Sequence, residues 1–302
     1  MSKKTKADPT GQAGSRNKGV RVLTKRLGRA ERRIKTLFRA VPKSRRRIAK
    51  IQNSEKTTFY DYELSPEGSE QLNRSIGFIL NEELLGTQID FMPIDWYWKQ
   101  NIELPYRQGT VEEVRDFNQL IAAAIVAGVL VKGLPLQKVP VERVIFSEIY
   151  RMDLGKAYVS SFSDIKTLSS STAAKVVQRI NAGISAGSTP TEIGAEISER
   201  FEVSKSSAKR IAETEVNKAY NDAKLDATDL MAGESSLKSG VVHISALTPT
   251  TRTHHAARHG NAYTVEDQRQ WWDSGSNRIN CKCTTRSILI DKRGKIIKAE
   301  IN

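Results

Sequence analysis

Helical signals dominate this chain from about residue 69 to Met231: apolar residues return every three or four positions, and several of the runs are closed by glycine or proline. That period places them on one face of a helix, so the middle of the chain is constrained to amphipathic helices packed together. Ser69 to Leu85 reads as one helix, stopped by Gly86. Ile94-Asp95-Trp96-Tyr97-Trp98 reads as a turn or short extended piece. Thr110 stands as a cap before Val111-Glu112-Glu113, and that helix runs to Val131, where Gly133 and Pro135 break it. Pro140 opens another, Val141 to about Phe162, and Ser171 to Ala186 follows, closed by Gly187. Thr189-Pro190-Thr191-Glu192 is a start signal: a capping Thr, Pro at the first helical position, and an acid in the first turn. That helix is expected to reach Phe201, and Ser204 to begin the longest one, ended by Gly233.

The last seventy residues change character. Val241-Val242-His243-Ile244 and Ser287-Ile288-Leu289-Ile290 read as strands, and Asp291-Lys292-Arg293-Gly294 as a hairpin turn into Ile296-Ile297. The expected class is α+β: a mainly helical body, a small C-terminal α+β domain, and a basic, partly disordered N-terminal arm. The division is an arm over 1–50, a linker over 51–68, a helical body over 69–203 and the C-terminal domain over 204–302.

Charge is concentrated at one end. Residues 1–50 hold eighteen Lys and Arg against Asp8 and Glu31, a balance of +16, whereas the whole chain of 302 residues is +14. The other 252 residues therefore sum to −2, and the basic character belongs to the arm alone. Residues 1–18 are read as disordered. Val20, Leu23, Leu27, Ala30, Ile34, Leu37 and Val41 then form a helical apolar stripe ended by Pro42. Lys25, Arg26, Arg29, Arg32, Arg33, Lys35 and Arg39 flank it, and Arg45, Arg46 and Arg47 follow. These ten are the candidate nucleic-acid contacts, because each cation near a phosphate releases counterions. The competing partners are an acidic protein groove and a membrane surface. No apolar core of a secretory signal is visible, and the longest apolar run, Leu120 to Val131, is too short to span a bilayer. An intracellular, reducing setting is expected.

All four histidines and both cysteines lie between His243 and Cys283. Imidazole and thiolate donors suit a structural zinc site, and His255, His259, Cys281 and Cys283 are the candidate ligands. Cys-x-Cys is tighter than the usual spacing of such sites, so small buried cysteines and polar loop histidines are the alternative. His254, His255 and His259 also raise a metal-dependent nuclease, although no histidine follows His259 to complete a His–Asn–His arrangement. Glu213 and Glu215, two apart on a helix, face different ways, and Asp222, Asp226 and Asp229 read as a solvated acidic stripe. No phosphate-binding glycine loop or nucleophile elbow is present, and no catalytic residue is assigned.

Three blocks in the C-terminal third resemble the Mu F-like phage head morphogenesis proteins, also called minor head or minor capsid proteins. The first is Arg210-Ile211-Ala212-Glu213-Thr214-Glu215 with Ala219-Tyr220-Asn221; the second runs from Arg252 through His255 to Gly260; the third is Ile279-Asn280-Cys281-Lys282-Cys283. Glu213 stands where the family has Arg, Arg258 where it has Leu, and the proline before Asn280 is absent. The order holds over about 204–290. The resemblance carries Arg210, Thr214, Glu215, Asn221, Arg252, His255, Gly260, Asn280, Cys281 and Cys283 as motif positions that build the small domain, with Arg252 expected to pair with Glu215. It implies no enzymatic activity. It implies a virion protein inside the capsid near the portal, present in the host cytoplasm during assembly. Its partners would be packaged DNA, the portal, and the major capsid or scaffolding protein, with no membrane in the virion.

Overall fold

The computed structural model describes residues 4–47, 58–86, 94–126, 130–131, 134–135, 137–235, 238–290 and 296–297. The class is α+β, mainly helical, with the strands of its largest sheet near the C-terminus. Helix α1 is Ala13–Arg39, β1 Lys43–Arg47, β2 Thr58–Tyr62, α2 Pro66–Leu85 and α3 Asp95–Trp98. A π-helical turn over Lys99–Glu103 leads into α4, Leu104–Val126. Strands β3 (Leu130–Val131) and β4 (Leu134–Pro135) precede α5 (Val141–Ile145), α6 (Glu148–Ser185) and α7 (Pro190–Ser235). The remainder is β5 (Lys238–Ile244), α8 (Thr253–Ala257), β6 (Ala262–Tyr263), α9 (Val265–Asp273), β7 (Thr284–Ile290) and β8 (Ile296–Ile297).

The chain forms two compact units built from separate stretches, where the sequence suggests a linear division. One takes Met1–Gly19, Trp96–Ser161 and Ala212–Asn302; the other takes Val20–Asp95 and Phe162–Ile211. In the first, four antiparallel strands lie in the order β6-β5-β7-β8. Val114, Phe117, Leu120, Ile121 and Ala124 of α4 pack with Ala227 and Met231 of α7 and Leu289 of β7. A second cluster joins Leu225, Val241, Val265 and Trp272. A Cβ on Gly109 would collide with the Tyr220 carbonyl oxygen, so glycine lets α4 and α7 cross closely. In the second unit, Leu23, Leu27, Ala30, Ile34 and Phe38 of α1 are buried, as are Leu72, Ile76, Leu80 and Leu84 of α2. β1 pairs antiparallel with β2, placing Arg45 opposite Tyr60 within the stretch expected to be a linker.

Several helix ends fall where local chemistry puts them. Ser65 caps α2 by accepting from the Gly68 amide, with Pro66 next, and Gly86 closes it at φ 91°. Thr189 and Glu192 form a reciprocal capping box at the start of α7: each side chain accepts from the other's backbone N–H. Other boundaries differ from expectation. α6 is continuous through the gap read between Phe162 and Ser171, and α7 through Ser204, read as the start of a new helix. Ser170 Oγ donates to the Lys166 carbonyl and Ser204 Oγ to the Arg200 carbonyl, so these hydroxyls are satisfied inside the helix. Thr110 is likewise internal to α4, donating to the Tyr106 carbonyl, and the Ile94–Trp98 stretch enters α3. α1 begins at Ala13, seven residues before its apolar stripe, because Asp8 accepts from the Ala13 amide and pairs with Arg16. The expected turn at Asp291–Gly294 lies outside the described residues, whereas β8 pairs with β7 as expected.

Candidate functional site

The ten nominated cations divide sharply. Arg29 pairs with Glu83, Arg33 with Glu82 and Glu83, and Lys35 with Glu31. Arg26 donates to the Glu83 carbonyl at 2.7 Å. These charges are largely answered within the second unit. Among the described residues, Lys25, Arg32, Arg39 and Arg45 are exposed and make no ion pair, as does Arg21. The side chains of Arg46 and Arg47 lie outside the described residues.

The histidine and cysteine segments meet in the first unit, with one exchange. β-alternation turns His243 inward with Val241, and both are fully buried. His255 projects from α8, and Cys281 and Cys283 from the loop that enters β7; all three are buried. His255 Nδ1 stands 3.5 Å from each sulfur. Donor atoms of His243, His255 and Cys283 all lie within 4.8 Å of one another. His259, nominated as a ligand from the sequence, is exposed, and its Nδ1 accepts from the Ser245 amide at 3.0 Å. His243 takes its place in the cluster. The two thiols are driven apart in acidity. Cys283 is held below the ordinary thiol range, chiefly by a hydrogen bond from Cys281 and then by the two imidazoles, against its burial. Cys281 is pushed up by that same bond and by burial. Two imidazoles and two sulfurs in this arrangement can hold a soft divalent cation.

The motif positions surround this cluster. On one face of α7, Thr214 Oγ1 accepts from the Asn280 amide at 3.0 Å, Asn217 donates to the Cys281 carbonyl at 2.7 Å, and Asn221 donates to the Cys283 carbonyl at 2.9 Å. Asn280 itself has φ 55°, a left-handed conformation that Asn tolerates better than most residues. Gly260, at φ 79°, donates its amide to the His243 carbonyl. Arg252 donates to the carbonyls of Ser276 and Ile279 and approaches His255 Nε2 at 3.3 Å. Glu215 instead accepts from Ser161 Oγ at 2.8 Å, so the expected Arg252–Glu215 pair is replaced by a loop clamp and a separate buried bond. Arg210 is exposed on α7.

Sequence reasoning left out His243, Asn217, Gln268 and Trp271. The period-two burial of β5 carries a signal for His243, and the i, i+4 step from Asn217 to Asn221 carries one for the paired amides. Trp271 lies 5.2 Å from the His243 ring and 4.7 Å from the His255 ring. Arg258, where the resemblance has Leu, stacks 3.5 Å from the Tyr263 ring centre and 4.4 Å from Trp271, so its planar head fills an apolar position. The aspartates of α7 are not a free solvated stripe: Arg278 pairs with Asp222, and Arg269 with Asp226 and Asp229. The three nuclease candidates have different partners. His254 Nε2 meets Asn277 at 3.0 Å, His255 meets the sulfurs, and His259 meets the Ser245 amide, so they converge on no shared point.

No curated protein and no solved structure matches the chain. Residues 174–286 match the family described as Phage Mu protein F like protein. The matched span starts about thirty residues before the motif-bearing stretch, within α6, and contains the whole histidine and cysteine cluster. The clasp of Thr214, Asn221, Arg252, His255 and the Asn280–Cys283 segment lies inside it. Over residues 174–286 the chain is similar to the Phage Mu protein F like family.

Proposed function

We propose that the protein is a minor head protein of a tailed bacteriophage, acting in head morphogenesis at the portal and lying against the packaged DNA. The similarity of residues 174–286 to the Mu F-like family supports a head component. The observation that carries the DNA reading is the face of α1 that the fold leaves charged. At 100° per residue, Arg21, Lys25, Arg32 and Arg39 fall within about 40° of one another and span about 27 Å of helix. The opposite stripe is buried and the flanking cations are paired, so this face offers regularly spaced charge to phosphates. For the portal, an exposed apolar stripe of Ile149, Met152 and Val159 on α6, with Phe146 beside it, offers a docking surface.

Binding should be insensitive to sequence and steep in salt. Four phosphate contacts give a slope of about −3.6 in log affinity against log salt, a loss on the order of 10²-fold between 50 and 200 mM. Changing Arg21, Lys25, Arg32 and Arg39 to Gln should remove that slope while circular dichroism stays constant. An unchanged slope in the folded variant takes DNA contact away from this face.

A further inference from the structure

We propose that His243, His255, Cys281 and Cys283 form a closed tetrahedral zinc site that fastens the Cys-x-Cys loop to the sheet. The inference stands apart from the DNA and portal reading. Zinc with nitrogen ligands at about 2.0–2.1 Å and sulfur at about 2.3 Å sets tetrahedral nitrogen–sulfur edges of about 3.6 Å. His255 Nδ1 is 3.5 Å from both Cys281 Sγ and Cys283 Sγ, so two edges already have that length. His243 supplies the fourth corner. Its Nδ1 faces Gln268 Oε1 at 3.3 Å, and its buried Nε2 has no hydrogen-bond partner among the described residues. An imidazole held by a carbonyl oxygen on one nitrogen and bare on the other is oriented as a metal ligand. A buried bare nitrogen otherwise carries a desolvation cost with nothing to offset it.

The surroundings fit a structural rather than an open catalytic site. All four corners come from the chain, and two sulfurs with two nitrogens are the donor set of zinc-stapled modules. Asn217 and Asn221 hold the cysteine carbonyls, fixing the loop from behind. Trp271 lies against both imidazoles. A cavity lined by Thr248, Arg252, His255, Cys281 and Cys283 offers an entry path. As the two metal–sulfur bonds form, whatever protons the two thiols still hold leave to solvent. With His255 bound through Nδ1, its Nε2 carries the ring proton, so Arg252 Nη1 must draw back from that nitrogen while keeping its bond to the Ile279 carbonyl.

The full chain, purified without chelator, should carry one zinc per molecule by elemental analysis. After zinc removal, cobalt(II) alone should give a tetrahedral visible spectrum with a thiolate charge-transfer band, roughly halved in Cys281→Ser. Cys283→Ser and His243→Gln should each lose zinc affinity at least 100-fold. Gln268→Leu should lose about 10–100-fold, as outer-shell partners do. His259→Ala should keep the metal. The cobalt spectrum of the unaltered chain needs no variant to fold. A folded chain that gives no charge-transfer band overturns the site, as does a Cys281–Cys283 disulfide in freshly purified protein. Loss of zinc in His259→Ala with retention in His243→Gln overturns this ligand set.

Discussion

Lys224 on α7 is fully buried, and its ammonium lies 2.6 Å from Glu113 Oε2 on α4, with Glu112 at 3.5 Å and Asp116 at 3.9 Å. Glu113 is buried too, and its other oxygen accepts from Thr228 Oγ1 and from the Ser287 amide of β7, each at 3.1 Å. One carboxylate thus ties α4, α7 and the sheet together. Replacing Lys224 by Met keeps the length and removes the charge, which leaves Glu113 ionised and buried. Breaking such a pair costs about 3–5 kcal/mol. Burial already pushes the Glu113 carboxyl above the ordinary range even with the ammonium in place. Without it the carboxyl rises further, so the loss should shrink as pH falls and Glu113 takes up a proton.

The double variant Lys224→Met, Glu113→Gln retains an oxygen for Thr228 and Ser287 and should recover all but about 1–2 kcal/mol. Because the chain has two compact units, a global midpoint is the weaker readout. Amide exchange at Ser287 reads the local opening directly. Exchange there should accelerate on the order of 10²–10³-fold in the single variant and return toward the original in the double one, conversions of about 3–4 kcal/mol at 1.4 kcal/mol per factor of ten. A single variant within about 0.5 kcal/mol of the parent, or equal losses in both, refutes the reasoning.

Two further outcomes are expected. The Asp226 carboxyl is raised from 3.8 to about 6, chiefly by burial, with Asp222 and Asp153 adding to it against Arg269 and the Tyr106 hydroxyl. A group raised on folding stabilises fully below its unfolded value and loses that contribution as pH climbs through its folded one. Urea titrations should therefore show a decline of up to about 3 kcal/mol between pH 4 and 6 that Asp226→Asn lacks; superimposable profiles count against it. A photo-cross-linker in place of Met152, exposed on the apolar stripe of α6, should capture portal protein in assembling heads. Capture of the major capsid protein alone would move the docking partner.

The parts legible in the sequence are those where one residue type has one job. Gly86 and the Thr189–Glu192 box announce helix ends, because unpaired backbone groups there need partners or a special conformation, whereas the Ser65-Pro66 start is passed over in favour of Ser69. Ser204 and Thr110 mislead for the same chemical reason: a hydroxyl that can cap can also bond back to the helix carbonyl four residues before it. Charge is legible only in part. Counting Lys and Arg over 1–50 finds a polyanion-binding arm, but the count does not see Glu83, which lies far along the chain and takes up Arg29 and Arg33. The cysteine cluster was half visible. Cys281, Cys283 and His255 follow from proximity in the sequence, whereas choosing His243 over His259 needs the strand pairing that turns His243 inward.

The position of the first nineteen residues has a consequence in time. Arg16 donates to Asn217 at 2.7 Å across 201 positions of chain, and Gln12 donates to Gln108 across 96. At roughly 5–20 residues per second, synthesis needs about 10–40 s to travel from Arg16 to its partner. Through that interval Arg16 has been made but its seat at Asn217 has not. The same unit also waits for β7, Thr284–Ile290. A fold closed by segments this far apart in the chain forms slowly, since the long loop must be drawn shut before its contacts contribute. The second unit, whose α1 and α2 stretches are made early, still needs residues up to 211.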